Sequence, residues 1–213
     1  KIEQSITNKT TAILATHVFG NPCDVEAISA IAQKHNLKVI YDAAHAFGTK
    51  YKGKSLLSYG NVSTCSFHST KLFHTVEGGS VTTPDPDILK RMSMMRNFGH
   101  SSATEFGDVG INGKNSEFHA AMGLCNLKYI QKILSVRRRL SERYMTNFEG
   151  LPVKFQQILP HTDYNHAYFP VIFDSEATLL KLVEQLNLNN IFPRRYFHPS
   201  LSKLPYVYEQ SAP

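Results

Sequence analysis

The order of apolar runs between residues 11 and 41 constrains the fold more than any other feature of the chain. Thr11-Ala12-Ile13-Leu14-Ala15-Thr16-His17 is short, apolar and partly β-branched, and Gly20-Asn21-Pro22 ends it, so it reads as a buried strand and its loop. Asp24 is placed to cap a helix whose first turn holds Glu26, whose apolar stripe is Ala27, Ile28, Ile31 and Ala32, and which Asn36 closes. Leu37-Lys38-Val39-Ile40-Tyr41 is the next strand. A strand, a helix and a strand in this order make a βαβ unit with a right-handed crossover, which requires a parallel sheet. Ligands of such sheets sit at the carboxyl ends of the strands. The polar break Asp42-Ala43-Ala44-His45-Ala46-Phe47-Gly48 falls at that end. Asp42 is therefore a candidate functional carboxylate; the structural alternative is a simple helix N-cap.

Further along, Tyr51-Lys52-Gly53-Lys54 reads as a turn and Val62 to Phe67 as another strand. That strand runs into Ser69-Thr70-Lys71, and Glu77-Gly78-Gly79 closes the turn. An amine held by backbone on both sides in such a turn can be desolvated enough to act as a nucleophile, although most lysines are solvated charges. Gly79 to Thr83 then reads as a strand stopped by Pro84-Asp85-Pro86, followed by a helix from about Asp87 to Asn97 with Ile88, Leu89, Met92 and Met95 on its core face. Residues 101–113 are polar and glycine-bearing, hence a loop. A long helix is expected from Ser116 to about Phe148, with Gly123 allowing close packing or marking a bend.

Gly150-Leu151-Pro152 divides the chain into residues 1–150 and 151–213. Beyond it Tyr168 to Phe173 reads as a strand. Ser175 caps a helix through Leu186 that turns Leu179, Leu180, Leu182, Val183 and Leu186 inward, and Ile191-Phe192 starts one more strand, giving a smaller α+β unit. Internal repeats and low-complexity tracts are missing, which argues against a solenoid or a disordered linker.

Charge and cysteine content narrow the partners. A formal charge of +6 favours an anionic partner. The basic cluster Arg137-Arg138-Arg139 with Arg143 lies in a helical pattern without aromatic residues between, so it reads as a solvated helix face and no nucleic-acid partner is expected. No run approaches the roughly 18 apolar residues of a membrane span, and Lys1-Ile2-Glu3-Gln4 opens no signal peptide, so a soluble protein without a membrane partner is expected. Three unpaired cysteines suit the cytoplasm, and neither they nor the ten scattered histidines have metal-ligand spacing, so no metal is expected.

Asp42 and Lys71 each follow a strand, and together they suggest one site. A carboxylate for a pyridine nitrogen and a lysine for a Schiff base are the two protein groups that pyridoxal 5′-phosphate most needs. Four segments carry the likeness further: Asp42-Ala43-Ala44-His45-Ala46, Ser66-Phe67-His68-Ser69-Thr70-Lys71, Glu77-Gly78-Gly79 and Gly110-Ile111-Asn112-Gly113-Lys114-Asn115-Ser116-Glu117. In this order and spacing the chain resembles the DegT/DnrJ/EryC1/StrS sugar aminotransferases over most of residues 10–135. The resemblance implies an α/β fold of the aspartate aminotransferase type (fold type I), with a large domain and part of a smaller α+β domain. It implies pyridoxal 5′-phosphate as cofactor, glutamate as amino donor, a nucleotide-sugar substrate, a place in O-antigen or polysaccharide biosynthesis, and a homodimer. By the same resemblance Lys71 carries the cofactor and moves the substrate proton. Asp42 holds the pyridine nitrogen, Ala44 lies against the ring and His45 approaches the ring oxygen. Ser66 binds the phosphate, and Asn112 reaches the phosphate of the neighbouring subunit.

The segments from His17 to Asp24 and from Arg194 to Pro199 are similar to members acting on dTDP-4-keto-6-deoxyglucose, which implies amination at C4. Relatives that aminate C3 share many of the segments. Tyr196 and His198 are candidate substrate contacts, with packing as the alternative for both. Lysine at position 71 speaks against the family's sugar 3-dehydratases, which have histidine there, and a hydride-transferring enzyme lacks its Gly-x-Gly-x-x-Gly turn. A cofactor-binding sensor without turnover is the non-enzymatic alternative. The family's N-terminal phosphate turn and stacking aromatic do not occur upstream of Lys1, and Tyr206–Pro213 stops before the small domain would finish, so the chain reads as a fragment.

Overall fold

A computed structural model of the chain describes residues 1–207; the expected early stop of the small domain lies, from residue 208 on, outside the described residues. The βαβ unit forms as expected. β1 (Ala12–Thr16), α1 (Val25–Lys34) and β2 (Lys38–Asp42) follow in order, and β2 pairs in parallel with β1 so that Thr16 lies opposite Asp42. Asp24 caps α1 by accepting the Ala27 N–H at 3.0 Å, and Asn36 ends it in the left-handed region at φ 51. A short hairpin, β3 (Lys50–Tyr51) and β4 (Lys54–Ser55), fills the turn read at residues 51–54.

β5 (Val62–Ser66) adds in parallel to β2, and β6 (Gly79–Thr82) adds antiparallel to β5, giving the order β1-β2-β5-β6. Ser66 faces Gly79 across that last pair, so residues 67–78 form one long hairpin connection with Lys71 inside it. The sheet buries one face against α1 and the segments around residues 43–59. Ile13, Val25, Ile28, Ala32, Val39, Tyr41, Ala43, Ala46, Tyr51 and Leu56 form the core. β1 is not buried on both faces as its apolar run suggests: Ile13 is buried and Leu14 is 70% exposed, because α1 covers one face only.

Leu56 sits in this core with no exposed surface. Leu56→Ala is expected to destabilise the protein by about 2–5 kcal/mol through lost burial plus a cavity, seen as a lower denaturant midpoint. Leu89→Ala, on an exposed helix position, should change it by about 0.5 kcal/mol or less.

The helices that follow depart from expectation in two ways. α2 (Pro86–Met95) starts at the Asp85 cap, but Leu89 and Met95 are exposed and Ile88 and Met92 only half-buried. The helix packs on the loop after it rather than on the sheet: Ile111 N–H donates to Met95 O at 2.7 Å and Gly113 N–H to Arg96 O at 2.8 Å. The expected long helix is two helices, α3 (Glu117–Leu127) and α4 (Ile130–Asn147). Gly123 lies within α3 and serves close packing, since a Cβ there would stand 2.9 Å from Thr75 Cγ2. The break falls at Lys128-Tyr129, just after Asn126 turns its side-chain amide to His74 O at 2.8 Å. α4 then leans the other way, with Leu134 against Gly48 and Arg138 paired to Asp163.

After Gly150 come three two-residue strands, β7 (Lys154–Phe155), β8 (Thr162–Asp163) and β9 (Val171–Ile172), and then α5 (Glu176–Leu188). The strand read at residues 168–173 shrinks to β9, because its partner β7 offers only two paired residues. Ser175 caps α5 by accepting the Thr178 N–H. Leu179, Val183 and Leu186 are half-buried, whereas Leu180 and Leu182 are exposed, so only part of the expected inward face is covered. Ile191 and Phe192 are exposed and form no strand, having no edge to pair with among the described residues. β8 pairs antiparallel with β3, which brings residues 162–165 onto the first part of the chain. No described helix is long and apolar enough to cross a membrane.

Candidate active site

The carboxyl ends of β2 and β5 carry the two residues the sequence singles out. Asp42 is the last residue of β2, and its Oδ1 accepts the Ala44 N–H at 3.0 Å. No α-helix follows it, so the N-cap alternative does not apply. Oδ2 has no protein partner among the described residues and stays free for a ligand. Ala44 and Asp42 are half-buried, so the site opens at this strand end rather than being sealed.

Lys71 stands in the connection after β5, and several anchors hold that connection. Phe73 is buried, stacked on Phe47 at 4.4 Å and edge-on to Phe67 at 5.0 Å. Thr75 N–H donates to Phe67 O at 2.9 Å, Phe67 N–H to Gly78 O at 2.9 Å, and the Thr75 hydroxyl to Glu77 O at 2.6 Å. Gly78 is required at its position: φ is +148 and a Cβ would collide with Thr75 Oγ1 and approach Asn115 Nδ2 to 2.9 Å. The wedge of Phe73 and Thr75 against α3 thus fixes the lysine's backbone, while its amine has no hydrogen-bond or ion-pair partner among the described residues.

His45 joins the two. Its Nδ1 accepts the Phe19 N–H at 3.0 Å, and its ring lies 4.6 Å from Tyr168 and 6.1 Å from Phe19. Burial lowers its pKa, the nearby Lys71 charge lowers it further and Asp42 opposes both, so both groups lie within electrostatic reach of this ring. Cys65, buried beneath, is pushed up to about 11 by burial, with Lys71 opposing and Asp42 adding. Asp42, His45 and Lys71 therefore share one neighbourhood. Ser66, at the end of β5, accepts the His68 N–H at 3.3 Å and keeps its own hydroxyl proton to donate.

The other candidates sit elsewhere. Asn112 is exposed in the loop after α2, bridges to Asn97, accepts a hydrogen bond from the Lys114 ammonium at 3.0 Å and has none to Asp42 or Lys71 among the described residues. Tyr196 lies edge-on to Phe19 at 5.7 Å and to Tyr168 at 6.2 Å, so it reaches the His45 edge of the site through two aromatic rings. His198 follows on the same segment and is exposed.

Residues that pattern reading passes over support this edge. Asn165 is buried and donates its amide to His45 O at 2.8 Å and Phe47 O at 2.9 Å. Tyr164 donates its hydroxyl to Phe19 O at 2.7 Å. Gly20 gives the room this clamp needs, since its φ is +84 and a Cβ would lie 2.6 Å from His45 O. Sequence distance hides all of these.

His17, at the end of β1, is fully buried and stacked on Tyr41 at 4.4 Å. Burial lowers its pKa from 6.5 to about 4, against the pull of Asp42. The unfolded ring binds its proton first as pH falls, so stability present above pH 6.5 is lost between 6.5 and 4, by about 3 kcal/mol in full. The urea midpoint is expected to fall across that window and the fall to shrink in His17→Phe.

The residues present fit pyridoxal 5′-phosphate. A carboxylate with one open oxygen, a free lysine amine and a free hydroxyl at a strand end are the donor set that cofactor takes, and the Ala44 methyl is small enough to leave its ring room. Comparison with known proteins agrees. The DegT/DnrJ/EryC1/StrS aminotransferase family matches residues 1–213. The dTDP-4-amino-4,6-dideoxy-D-glucose transaminase of Shigella dysenteriae is 40% identical over 203 residues, which cover 93% of this chain and 55% of that protein. The dTDP-3-amino-3,6-dideoxy-alpha-D-galactopyranose transaminase of Aneurinibacillus thermoaerophilus is 36% identical over 151 residues, covering 70% of this chain and 42% of that one. The crystal structure of DesI in the presence of its TDP-sugar product superposes with a TM-score of 0.89 at 33% identity, covering 100% of this chain and 55% of that one. The chain thus spans about half the length of the relatives it matches.

Proposed function

The chain belongs to the DegT/DnrJ/EryC1/StrS aminotransferase family, whose cofactor is pyridoxal 5′-phosphate, and from that premise we propose that the full-length protein transfers the amino group of glutamate to a nucleotide-linked keto sugar. What supports the proposal is that Asp42 ends β2 and Lys71 lies in the connection that follows its parallel neighbour β5, with the charges of both acting on the His45 ring. The cofactor, when bound, supplies an electron sink and carries the amino group between the two substrates. Asp42 would hold a proton on the pyridine nitrogen through its open oxygen. Ala44 would lie against the ring, and His45 would offer its Nε2–H to the ring oxygen. Ser66 would donate its hydroxyl to the phosphate. Lys71 would anchor the cofactor, then take the proton from the substrate carbon and return it.

The sugar is proposed to be dTDP-4-keto-6-deoxyglucose, aminated at C4. A 40% identical relative named for the 4-amino product supports this, and a net charge of +6 suits a diphosphate-bearing substrate. Amination at C3 is the second reading, favoured by the 36% identical relative named for a 3-amino product. Tyr196, at the aromatic edge beside His45, is the proposed sugar contact, with His198 after it. A homodimer is part of the proposal. Asn112 is too exposed to serve its own site, and Val109, Ile111 and Phe118 leave an apolar surface beside it, Phe118 being 88% exposed. A second copy would cover that surface and take Asn112 to its phosphate.

The test is to incubate the full-length protein with glutamate and dTDP-4-keto-6-deoxyglucose and locate the new amino carbon by NMR. An amine at C4 is the expected result, and an amine at C3 selects the second reading. Cofactor binding without conversion of any nucleotide keto sugar would mean a sensor instead.

A further inference from the structure

One buried side chain ties the first part of the chain to the segment that covers His45. Asn165 is 1% exposed, and its amide nitrogen donates to His45 O at 2.8 Å and to Phe47 O at 2.9 Å. Its Oδ1 accepts the Ala167 N–H at 3.0 Å, which closes a turn whose middle residue, His166, takes φ 51. Left-handed backbone is uncommon outside glycine, and a side-chain oxygen that accepts the N–H two residues on holds such a turn in place. Both amide hydrogens and the oxygen are in use, and the two carbonyl acceptors on one side fix which end of the amide is nitrogen.

The two ends of this amide serve two walls of one slot. The nitrogen holds the loop of residues 43–47, which carries Ala44 and His45, by the carbonyls of His45 and Phe47. The oxygen holds the turn that delivers Tyr168, whose ring lies 4.6 Å from the His45 ring. The fit is close, since a Cβ on Gly20 would stand 2.9 Å from Asn165 Nδ2. The neighbouring Tyr164 adds a grip on the same edge: its hydroxyl donates to Phe19 O at 2.7 Å, and Phe19 N–H donates to His45 Nδ1 at 3.0 Å. His45 is thus held at its ring nitrogen, its carbonyl and its ring face.

We propose that Asn165 is a positioning residue that sets the spacing of His45 and Tyr168, and with it the seat of the cofactor ring beside His45. A primary amide suits this place because it donates twice at one end and accepts at the other within a short side chain. A carboxylate of the same shape would set an oxygen against two carbonyl oxygens with no hydrogen between them, and an apolar side chain would leave both carbonyls without this partner. What the slot seats rests on the pyridoxal phosphate reading, whereas the spacing of the two rings does not.

The spacing is measured first, by NMR of the cofactor-free full-length protein. The His45 ring-proton signals, assigned through His45→Phe, are expected to be displaced by the ring current of Tyr168 and to return toward ordinary histidine positions in Tyr168→Leu. They should move the same way in Asn165→Ser, whose hydroxyl donates to one carbonyl at most. Signals that keep their parent positions in folded Asn165→Ser would overturn the proposal. Arg138→Ala is the control, because it removes the ion pair to Asp163 in the same segment and leaves the slot alone. An equal displacement there would mean that Asn165 only seats the segment, and the positioning role would be wrong. The second measurement reads cofactor affinity and the visible band of the bound cofactor. Asn165→Ser should weaken affinity about tenfold, the worth of one buried hydrogen bond, and move the band. Parent affinity with an unmoved band would again sink the role. If Asn165→Ser does not fold, Tyr168→Leu carries the test, since it leaves the amide in place: it should weaken affinity and move the band, and parent values for both would refute the proposal. Borohydride trapping on Lys71 of the parent protein separates the two readings. Failure there removes the cofactor reading, and the ring-proton shifts then decide the spacing alone.

Discussion

Lys71→Ala is expected to abolish glutamate-dependent amination, a loss on the order of 10⁴-fold or more, while leaving the fold intact. The loss is large because the proposed reaction asks two functions of this one residue, the covalent anchor and the proton carrier, and a positioned proton carrier alone contributes about 10²–10⁴-fold. The fold should survive because the connection is held by other groups. Phe73, Thr75 and Gly78 fix its backbone, and the lysine amine makes no ion pair among the described residues. Thermal stability of the cofactor-free protein should change by about 0.5 kcal/mol or less. Lys71→Arg should be as inactive as the alanine variant, since a guanidinium keeps the charge but does not give up its proton. Three measurements check this: steady-state amination, the visible absorbance of bound cofactor, and mass spectrometry after borohydride reduction, which should place the cofactor on Lys71 in the parent and nowhere in the variant. Full activity in Lys71→Ala would remove the whole functional assignment.

What could be read beforehand follows the range of the forces involved. β1, α1 and β2 are legible because local signals agree there: an Asp24 cap, an apolar stripe on α1, β-branched runs and a glycine-proline stop. The strand ends that carry Asp42 and Lys71 follow from the same pattern. The break between α3 and α4 is not legible, because neither glycine nor proline marks Lys128-Tyr129. It arises where Asn126 ties α3 to His74 while Leu134 and Arg138 draw α4 toward Gly48 and Asp163. α2 misleads for a related reason. Its apolar spacing is real, but its cover is a loop, so Leu89 and Met95 stay exposed.

The site shows the same division. Residues whose type states their chemistry, such as Asp42, His45, Ser66 and Lys71, stand out in their local segments. Those that hold them in place do so across the chain. Asn165 and Tyr164 reach back to His45, Phe47 and Phe19 from far along the sequence, and nothing in their own neighbourhood announces it. Tyr168 covers His45 in the same way. The left-handed turn at Phe19 is hidden as well, since an aromatic residue is a poor sequence signal for positive φ.

Asp42→Asn separates the electrostatic part of the proposed site from its shape. The substitution keeps an oxygen able to accept the Ala44 N–H, so the turn after β2 should stay closed and the protein should fold. What changes is the group that meets the pyridine nitrogen. An amide offers an N–H where the carboxylate offers a negative oxygen, so the nitrogen becomes an acceptor and loses the proton that makes the ring an electron sink. An opposite charge at such a distance is typically worth one to three pKa units to its partner, and removing it should lower kcat by roughly 10²–10³-fold. The phosphate and lysine contacts are untouched, so cofactor affinity should fall about tenfold or less, and KM for the nucleotide sugar should stay within a few fold. A variant with kcat near the parent value would show that Asp42 does not hold the ring nitrogen. Loss of cofactor binding with kcat unchanged at saturation would assign it an anchoring role alone. Steady-state kinetics at saturating cofactor, with the band position of the bound cofactor recorded alongside, distinguishes these outcomes from the expected one.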